Sequence, residues 1–163
     1  MYKAIVRALV RKGINDLNSG DPTFLMKLAA RDAQLAFPGD NSWATMHRPA
    51  IKSRQPHFTH RGTEELRSFA DRFVSQKIKF SIEDILVNGP PWNTRVAIRA
   101  NDYIESRNGD LYNNRVVAFM EIRWAKLRSW EDYEDTERVK QWDTHHATNS
   151  PTTEHQLTTE AAP

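Results

Sequence analysis

The feature that most constrains the fold is a pair of long alternating segments on either side of Asn108-Gly109. Val96, Ile98, Ala100 and Ile104 alternate with Arg95, Ala97, Arg99, Asn101 and Tyr103. Beyond the Asn-Gly pair, Val116, Ala118, Met120, Ile122 and Trp124 alternate with Val117, Phe119, Glu121 and Arg123. A period of two defines strands with unlike faces, and Asn-Gly supplies the positive φ that a tight hairpin needs. This half of the chain is thereby committed to an antiparallel sheet.

Further strands follow from the same signal. Ile78, Phe80 and Ile82 alternate with Lys79, Ser81 and Glu83 before the turn Asn88-Gly89-Pro90-Pro91, a last strand covers about Leu127 to Asp135, and Gln34 to Phe37 reads as the first. Helices are marked by a different spacing. Tyr2, Ile5, Val6, Leu9, Val10, Ile14 and Leu17 form one apolar face, ended by Asn18-Ser19-Gly20. Asp21-Pro22 reads as an N-cap and first helical position for a short helix through Ala30. Thr63 is the expected N-cap of a helix that places Leu66, Phe69, Ala70, Phe73 and Val74 on one side. Residues 38 to 62 form a long connection rich in Pro, His and Arg. Helices grouped beside an antiparallel sheet give an α+β fold. After Trp142 the chain is polar, so residues 1–142 are expected to form the domain and 143–163 a disordered tail.

Composition excludes several classes. At 163 residues the chain fits one domain with a real core. It has no cysteine, which removes disulfides, thiol nucleophiles and thiolate metal sites and suits a cytoplasmic setting. No apolar stretch approaches a bilayer span, and Arg7, Arg11 and Lys12 interrupt the basic N-terminus, so neither a membrane helix nor a signal peptide is expected. Net charge is +2 with both signs mixed. The acid-free stretch from Arg48 to Arg61 reads as a solvated or pocket-rim loop, and nucleic acid is not the expected partner. No phosphate-loop, dinucleotide-binding or nucleophile-elbow spacing is present, and no cofactor is implied.

One sheet face mixes Ala97, Tyr103, Val117 and Phe119 with Arg99, Asn101, Glu121 and Arg123. Such a face suits a pocket wall, and a dimer interface has the same pattern. Trp43, Trp92, Trp124, Trp130 and Tyr133 are aromatic candidates for that wall, Trp43 and Tyr133 foremost. His47, His57 and His60 lie in the long connection. His57 is a candidate ligand contact, but no carboxylate at metal-site spacing accompanies these histidines, so no metal site is expected.

Several short motifs, in order, resemble the SnoaL-like proteins of the nuclear-transport-factor-two-like superfamily, which include polyketide cyclases, limonene epoxide hydrolase and ketosteroid isomerase relatives. They are His60-Arg61-Gly62, Asn108-Gly109-Asp110-Leu111-Tyr112-Asn113-Asn114, and Ala125-Lys126-Leu127 followed by Trp130-Glu131-Asp132-Tyr133-Glu134-Asp135. The last group resembles the family's Gly-Lys-Ile turn, with Ala125 in place of Gly, and its late Tyr-x-Asp. The resemblance covers residues 1 to about 142. It implies a cone-shaped, strongly curved, mostly antiparallel sheet wrapped around about three helices, a pocket between sheet and helices, and a homodimer.

By this resemblance Asp135 sits at the pocket mouth, where an apolar setting would raise its pKa and let it move protons. The alternative is that Asp135 caps the segment Thr136 to Trp142 or pairs with an arginine. Arg99-Ala100-Asn101 resembles the Arg-x-Asp strand pair of limonene epoxide hydrolase, but Asn101 cannot take a proton, which argues against epoxide hydrolysis by that route. Asp102 is expected on the opposite face. Arg99 and Asn101 would then polarise a substrate oxygen, or Arg99 would pair with Glu121. The candidate catalytic set is Asp135, Arg99 and Asn101; the candidate ligand contacts are Trp43, His57, Tyr103, Phe119, Glu121 and Tyr133. The implied activity is acid–base chemistry on a small, largely apolar, carbonyl-bearing molecule, of the cyclase, isomerase or dehydratase type. The rival is a non-catalytic binding or dimeric assembly protein.

Overall fold

The computed structural model describes residues 1–38, 57–105, 109 and 111–149. Two helices, α1 (Tyr2–Asn18) and α2 (Thr23–Leu28), precede strands β1 (Ala29–Pro38) and β2 (His57–Arg61). Helix α3 (Gly62–Ser75) leads into β3 (Lys79–Asn88), β4 (Thr94–Glu105), β5 (Leu111–Arg123) and β6 (Lys126–Glu134), and α4 (Thr136–Asn149) follows. The strands form one six-stranded sheet in the order β2-β1-β6-β5-β4-β3, antiparallel except for β1 beside β6. Register shifts interrupt β1, β3 and β6, and such irregularities bend and twist a strand. The α+β architecture with a curled, mostly antiparallel sheet is the one expected.

Helix α1 buries Val6, Val10, Ile14 and Leu17 and packs on β3, while α3 buries Leu66, Ala70 and Phe73 and packs on β1. The sheet answers with Val96, Ile98 and Ala100 from β4, Val116, Ala118 and Met120 from β5, and Leu127 and Trp130 from β6. Burial of this apolar set supplies the main stabilising term. Among the described residues no helix is long and apolar enough to cross a membrane.

Several boundaries differ from the sequence reading: Pro22 is the N-cap of α2 rather than its first helical residue, and His57–Arg61, at the end of the expected connection, form a strand. Ala29 and Ala30 begin β1 rather than ending α2, because the partner strand β6 captures Ala29 opposite Leu127. Arg61, not Thr63, is the N-cap of α3, and its amide donates to the Glu65 carboxylate at 2.8 Å. Helix α4 runs past Trp142 to Asn149, anchored by fully buried Val139 and by Trp142 packed 5.3 Å from the Tyr112 ring. Residues 150–163 lie outside the described residues.

The edge strand β3 is held by a side chain acting as a strand. Asn18, the last residue of α1, donates its amide to the Phe80 carbonyl at 2.7 Å and accepts the Phe80 N–H at 2.8 Å. Losing both bonds would leave two partly buried backbone groups unsatisfied. Asn18→Ala should therefore destabilise the fold by about 1–3 kcal/mol, read as a lower urea midpoint with an unchanged slope.

Candidate functional site

The inward row of β4 is Val96, Ile98, Ala100, Asp102 and Ile104, every one of them buried. Asp102 thus occupies an apolar phase. On β6 the inward residues toward its C-terminal end are Trp130 and Asp132, with Glu134 next in the same phase and half-buried. These three carboxyls line one cavity of about 60 Å³ with Gln34, Phe69, Phe73 and Phe80 among its other walls. The rest of its lining is almost wholly apolar.

Desolvation dominates the electrostatics here. Asp102 is 5 % and Asp132 7 % exposed. Burial pushes Asp102 up to about 7. Burial also pushes Asp132 up to about 7, opposed by the Trp130 indole N–H, which donates to its Oδ1 at 2.6 Å, and aided by the negative charge of Asp102. Glu134 is pushed up to about 9 by burial and then by Asp132 and Asp102. Asp102 Oδ1 and Glu134 Oε1 are enclosed with no hydrogen-bond partner among the described residues. None of the three forms an ion pair among those residues. Buried, unpaired carboxyls hold their protons to unusually high pH, which suits proton transfer near neutrality.

Nearby polar groups are already engaged. Asn114, opposite Asp102 in the β4–β5 register, donates to the Tyr112 hydroxyl at 2.9 Å and to the Asp135 carbonyl at 3.1 Å. His60, nearly fully buried, packs between Phe37 and Phe69 at ring distances of 6.1 and 5.5 Å. It supports the aromatic wall from behind.

The residues proposed from sequence lie on the other face. Arg99, Asn101 and Asp135 do come together, but along an open polar groove of about 680 Å³ on the outside of the sheet. Arg99 pairs with Glu83 at 2.8 Å, not with Glu121, and Asn101 donates to the same Glu83 at 2.8 Å. Asp135 is exposed and caps α4, accepting the Glu137 N–H at 3.1 Å and the Arg138 N–H at 3.4 Å. Its alternative reading as a cap is the observed one. Glu121 is tied to Arg95 at 2.8 Å and Arg123 at 3.3 Å. Tyr103 is half-buried on the outer side, Phe119 is 40 % exposed, and Tyr133, 57 % exposed, donates to Glu131 at 2.9 Å. Trp43 lies outside the described residues; His57 opens β2 opposite Pro38, and its side chain is outside the description. Trp92 and Trp124 are exposed and stack near each other, 6.0 Å apart, at the hairpin ends.

The cause of the misplacement is phase. Both faces mix apolar and charged residues, and the more visibly mixed one faces outward. The inner face carries fewer charges, and three of them are the carboxyls of the cavity. The usable signal was an acid in step with apolar neighbours: Asp102 with Ile98 and Ala100, Asp132 and Glu134 with Trp130.

No family model and no curated protein sequence matches the chain. Solved structures do. An NTF2-like protein of unknown function from Burkholderia pseudomallei superposes with a TM-score of 0.66 at 14% identity, over 85% of this chain and 96% of its own. The fold is nuclear-transport-factor-two-like. TerC, co-crystallised with polyporic acid, matches with a TM-score of 0.63 at 13% identity over 82% of this chain and 94% of its own. SalBIII, an epoxide hydrolase/cyclase-like enzyme in pyran ring formation in polyether salinomycin, matches at 0.63 and 11% over 83% of this chain and 95% of its own. Identities this low carry the fold alone.

The raised pKa values have a definite sign for stability. From about pH 4 upward the unfolded chain releases carboxyl protons that the folded state retains, up to about 7 for the aspartates and about 9 for Glu134. The contribution of these groups therefore falls as pH rises through that window. The wild-type urea midpoint should fall more steeply from pH 5 to pH 8 than that of Asp132→Asn with Glu134→Gln. Parallel curves would show that the two groups ionise as they do in water.

Proposed function

We propose that the inner cavity binds a small, largely apolar, carbonyl-bearing molecule and that its buried carboxyls act on it as acid and base. The observation that carries this reading is the gathering of Asp102, Asp132 and Glu134 around one apolar void, two of them with an enclosed oxygen that has no hydrogen-bond partner among the described residues. At pH 7 Glu134 carries its proton and can donate it to a carbonyl oxygen. Asp132 is the base, since the Trp130 N–H favours its charged form and fixes its orientation. The proton leaving the α-carbon ends on Asp132 as the Glu134 proton ends on oxygen, giving an enol. Reprotonation elsewhere, attack on a second carbonyl, or loss of a β-hydroxyl would make the net reaction an isomerisation, cyclisation or dehydration. Two solved proteins of the same fold support a small-molecule role, the one described as an epoxide hydrolase/cyclase-like enzyme and the one co-crystallised with polyporic acid.

A second reading is favoured by one specific observation. The objection to epoxide opening rested on Asn101, but the inward residue is Asp102, electrostatically coupled to Asp132. A cavity of about 60 Å³ has room for a few waters. One carboxylate could take a proton from such a water while the other, protonated, gives one to the departing epoxide oxygen.

Two four-carbon probes test both readings. In D2O the protein should exchange the α-protons of 2-butanone above the buffer rate, and Asp132→Asn should reduce this by about 100-fold or more. Asp135→Asn should stay within about twofold of wild type, since that residue only caps a helix. Formation of the diol from 1,2-epoxybutane without ketone exchange would select the second reading. Buffer-level rates with both probes would remove both.

We also propose that the outer sheet face meets a second copy of the chain. Leu86, Val117, Phe119 and Tyr133 are 40–62 % exposed there, an apolar strip between the Arg99–Glu83 and Arg95–Glu121 pairs. Light scattering should give a dimer mass for wild type and a monomer mass for Phe119→Glu; a monomeric wild type would remove this interface.

A further inference from the structure

A second void lies between α1 and the end of the sheet where β5 turns into β6. Its volume is about 140 Å³, more than twice that of the acid cavity at about 60 Å³. Among the described residues no charged side chain lines it; Leu9, Gly13, Leu28, Met120 and Ile122 are among its walls. Its one hydroxyl, on Tyr2, is satisfied by donating to Thr94 Oγ1 at 2.6 Å, because Thr94 itself donates to the Pro90 carbonyl. Leu25, Leu127 and Trp130 line both voids, so a single layer of side chains separates them.

Two details of sequence bear on what this chamber is for. Gly13 is a buried glycine in the interior of α1, where glycine weakens a helix. A Cβ added there would meet only Phe24, at 3.6 Å, an ordinary contact. Packing therefore does not demand a glycine at this point of the chamber wall. The second detail is the shared wall. Trp130 is held by its bond to Asp132, and Leu127 is fixed in β6. Leu25 belongs to α2, a helix of 6 residues with none buried, so it is the part of the wall that moves at least cost.

We infer that the two voids form one bipartite pocket, with the substrate oxygen against the carboxyls and an apolar tail of about benzene size in the chamber under α1. Leu25 is the partition between them. This rests on the acid–base reading of the inner cavity and adds the class of substrate: an amphiphilic ketone whose tail, not its head, sets selectivity. A wholly apolar chamber gains affinity with each buried methylene and offers a polar substituent no partner.

The test is a homologous series of 2-alkanones from 2-butanone to 2-decanone, with binding followed at the Trp130 indole N–H resonance, which lies on the shared wall. In wild type the affinity should rise about fourfold per methylene and then level off once the chamber is full. Gly13→Ala adds one methyl group at a position that accepts it, and Leu9→Phe fills more of the chamber from a half-buried site. Both should leave 2-butanone unchanged, bring the plateau to a shorter ketone, and weaken 2-octanone by about fourfold and about tenfold or more respectively. Leu25→Ala should tighten the longer ketones by a larger factor than 2-butanone, since Leu25 also lines the acid cavity. A rise with chain length that Gly13→Ala and Leu9→Phe leave untouched places the tail elsewhere and overturns the inference, while the acid site stands. If no ketone shifts the Trp130 signal in any variant, the acid-site reading fails and this inference with it.

Discussion

The inward row of β4 sets the phase of the whole sheet. From Val96 to Ile104 the even-numbered residues are buried beneath the helices, while Arg95, Arg99 and their odd-numbered neighbours face outward. Cross-strand register carries that phase from Ile98 to Ala118 and on to Asp132, and from Ala100 to Val116 and Glu134. A slip of one residue would exchange every inward side chain for an outward one. The apolar members of the row make such a slip prohibitive. The acids are carried inward by their neighbours, although burial by itself disfavours their charged forms.

This division explains what was legible in the sequence. The strands were visible because alternation and turn residues are local properties: the Asn88-Gly89-Pro90-Pro91 turn and the β4 and β5 segments needed no tertiary information. Gly89, at a φ of 88° with the Asn93 carbonyl oxygen 2.1 Å from where a Cβ would stand, shows how strictly such a turn selects its residue. Helix ends were less clear, since the capture of Ala29 by β6 and the anchoring of α4 by Val139 and Trp142 depend on distant partners. The inward face was not legible in the sequence, because choosing it requires knowing which side the helices cover. Composition of the two faces does not decide that when both contain aromatic and charged residues.

The segment Trp130 to Asp135 shows the point most sharply. It holds four acids within six residues, and by type alone they are equivalent. Glu131 and Asp135 point outward, one accepting from the Tyr133 hydroxyl and the other capping α4. Asp132 and Glu134 point inward and have their proton affinities raised by burial. Alternation along one strand thus separates surface acids from acids fit for proton transfer. The Tyr-x-Asp resemblance ends at the exposed Asp135, while the buried Asp132 stands three positions earlier, hydrogen-bonded to Trp130.

Two features of the interior weigh against stability, and they share a wall. Three carboxyls with no cation partner among the described residues disfavour the folded state as pH rises, and an unfilled apolar chamber forgoes packing contacts that a larger side chain at Leu9 could supply. A core selected for stability alone would place an apolar residue at 102, 132 or 134 and fill the void under α1. Instead the acids sit on strands whose register fixes them, and the void lies directly behind the one partition on a loosely held helix. Rigid strands suit the reacting groups, which need fixed geometry, and a movable Leu25 suits the part of a ligand that needs only room. The placement of both costs on either side of Trp130 is what a site for one two-ended molecule requires.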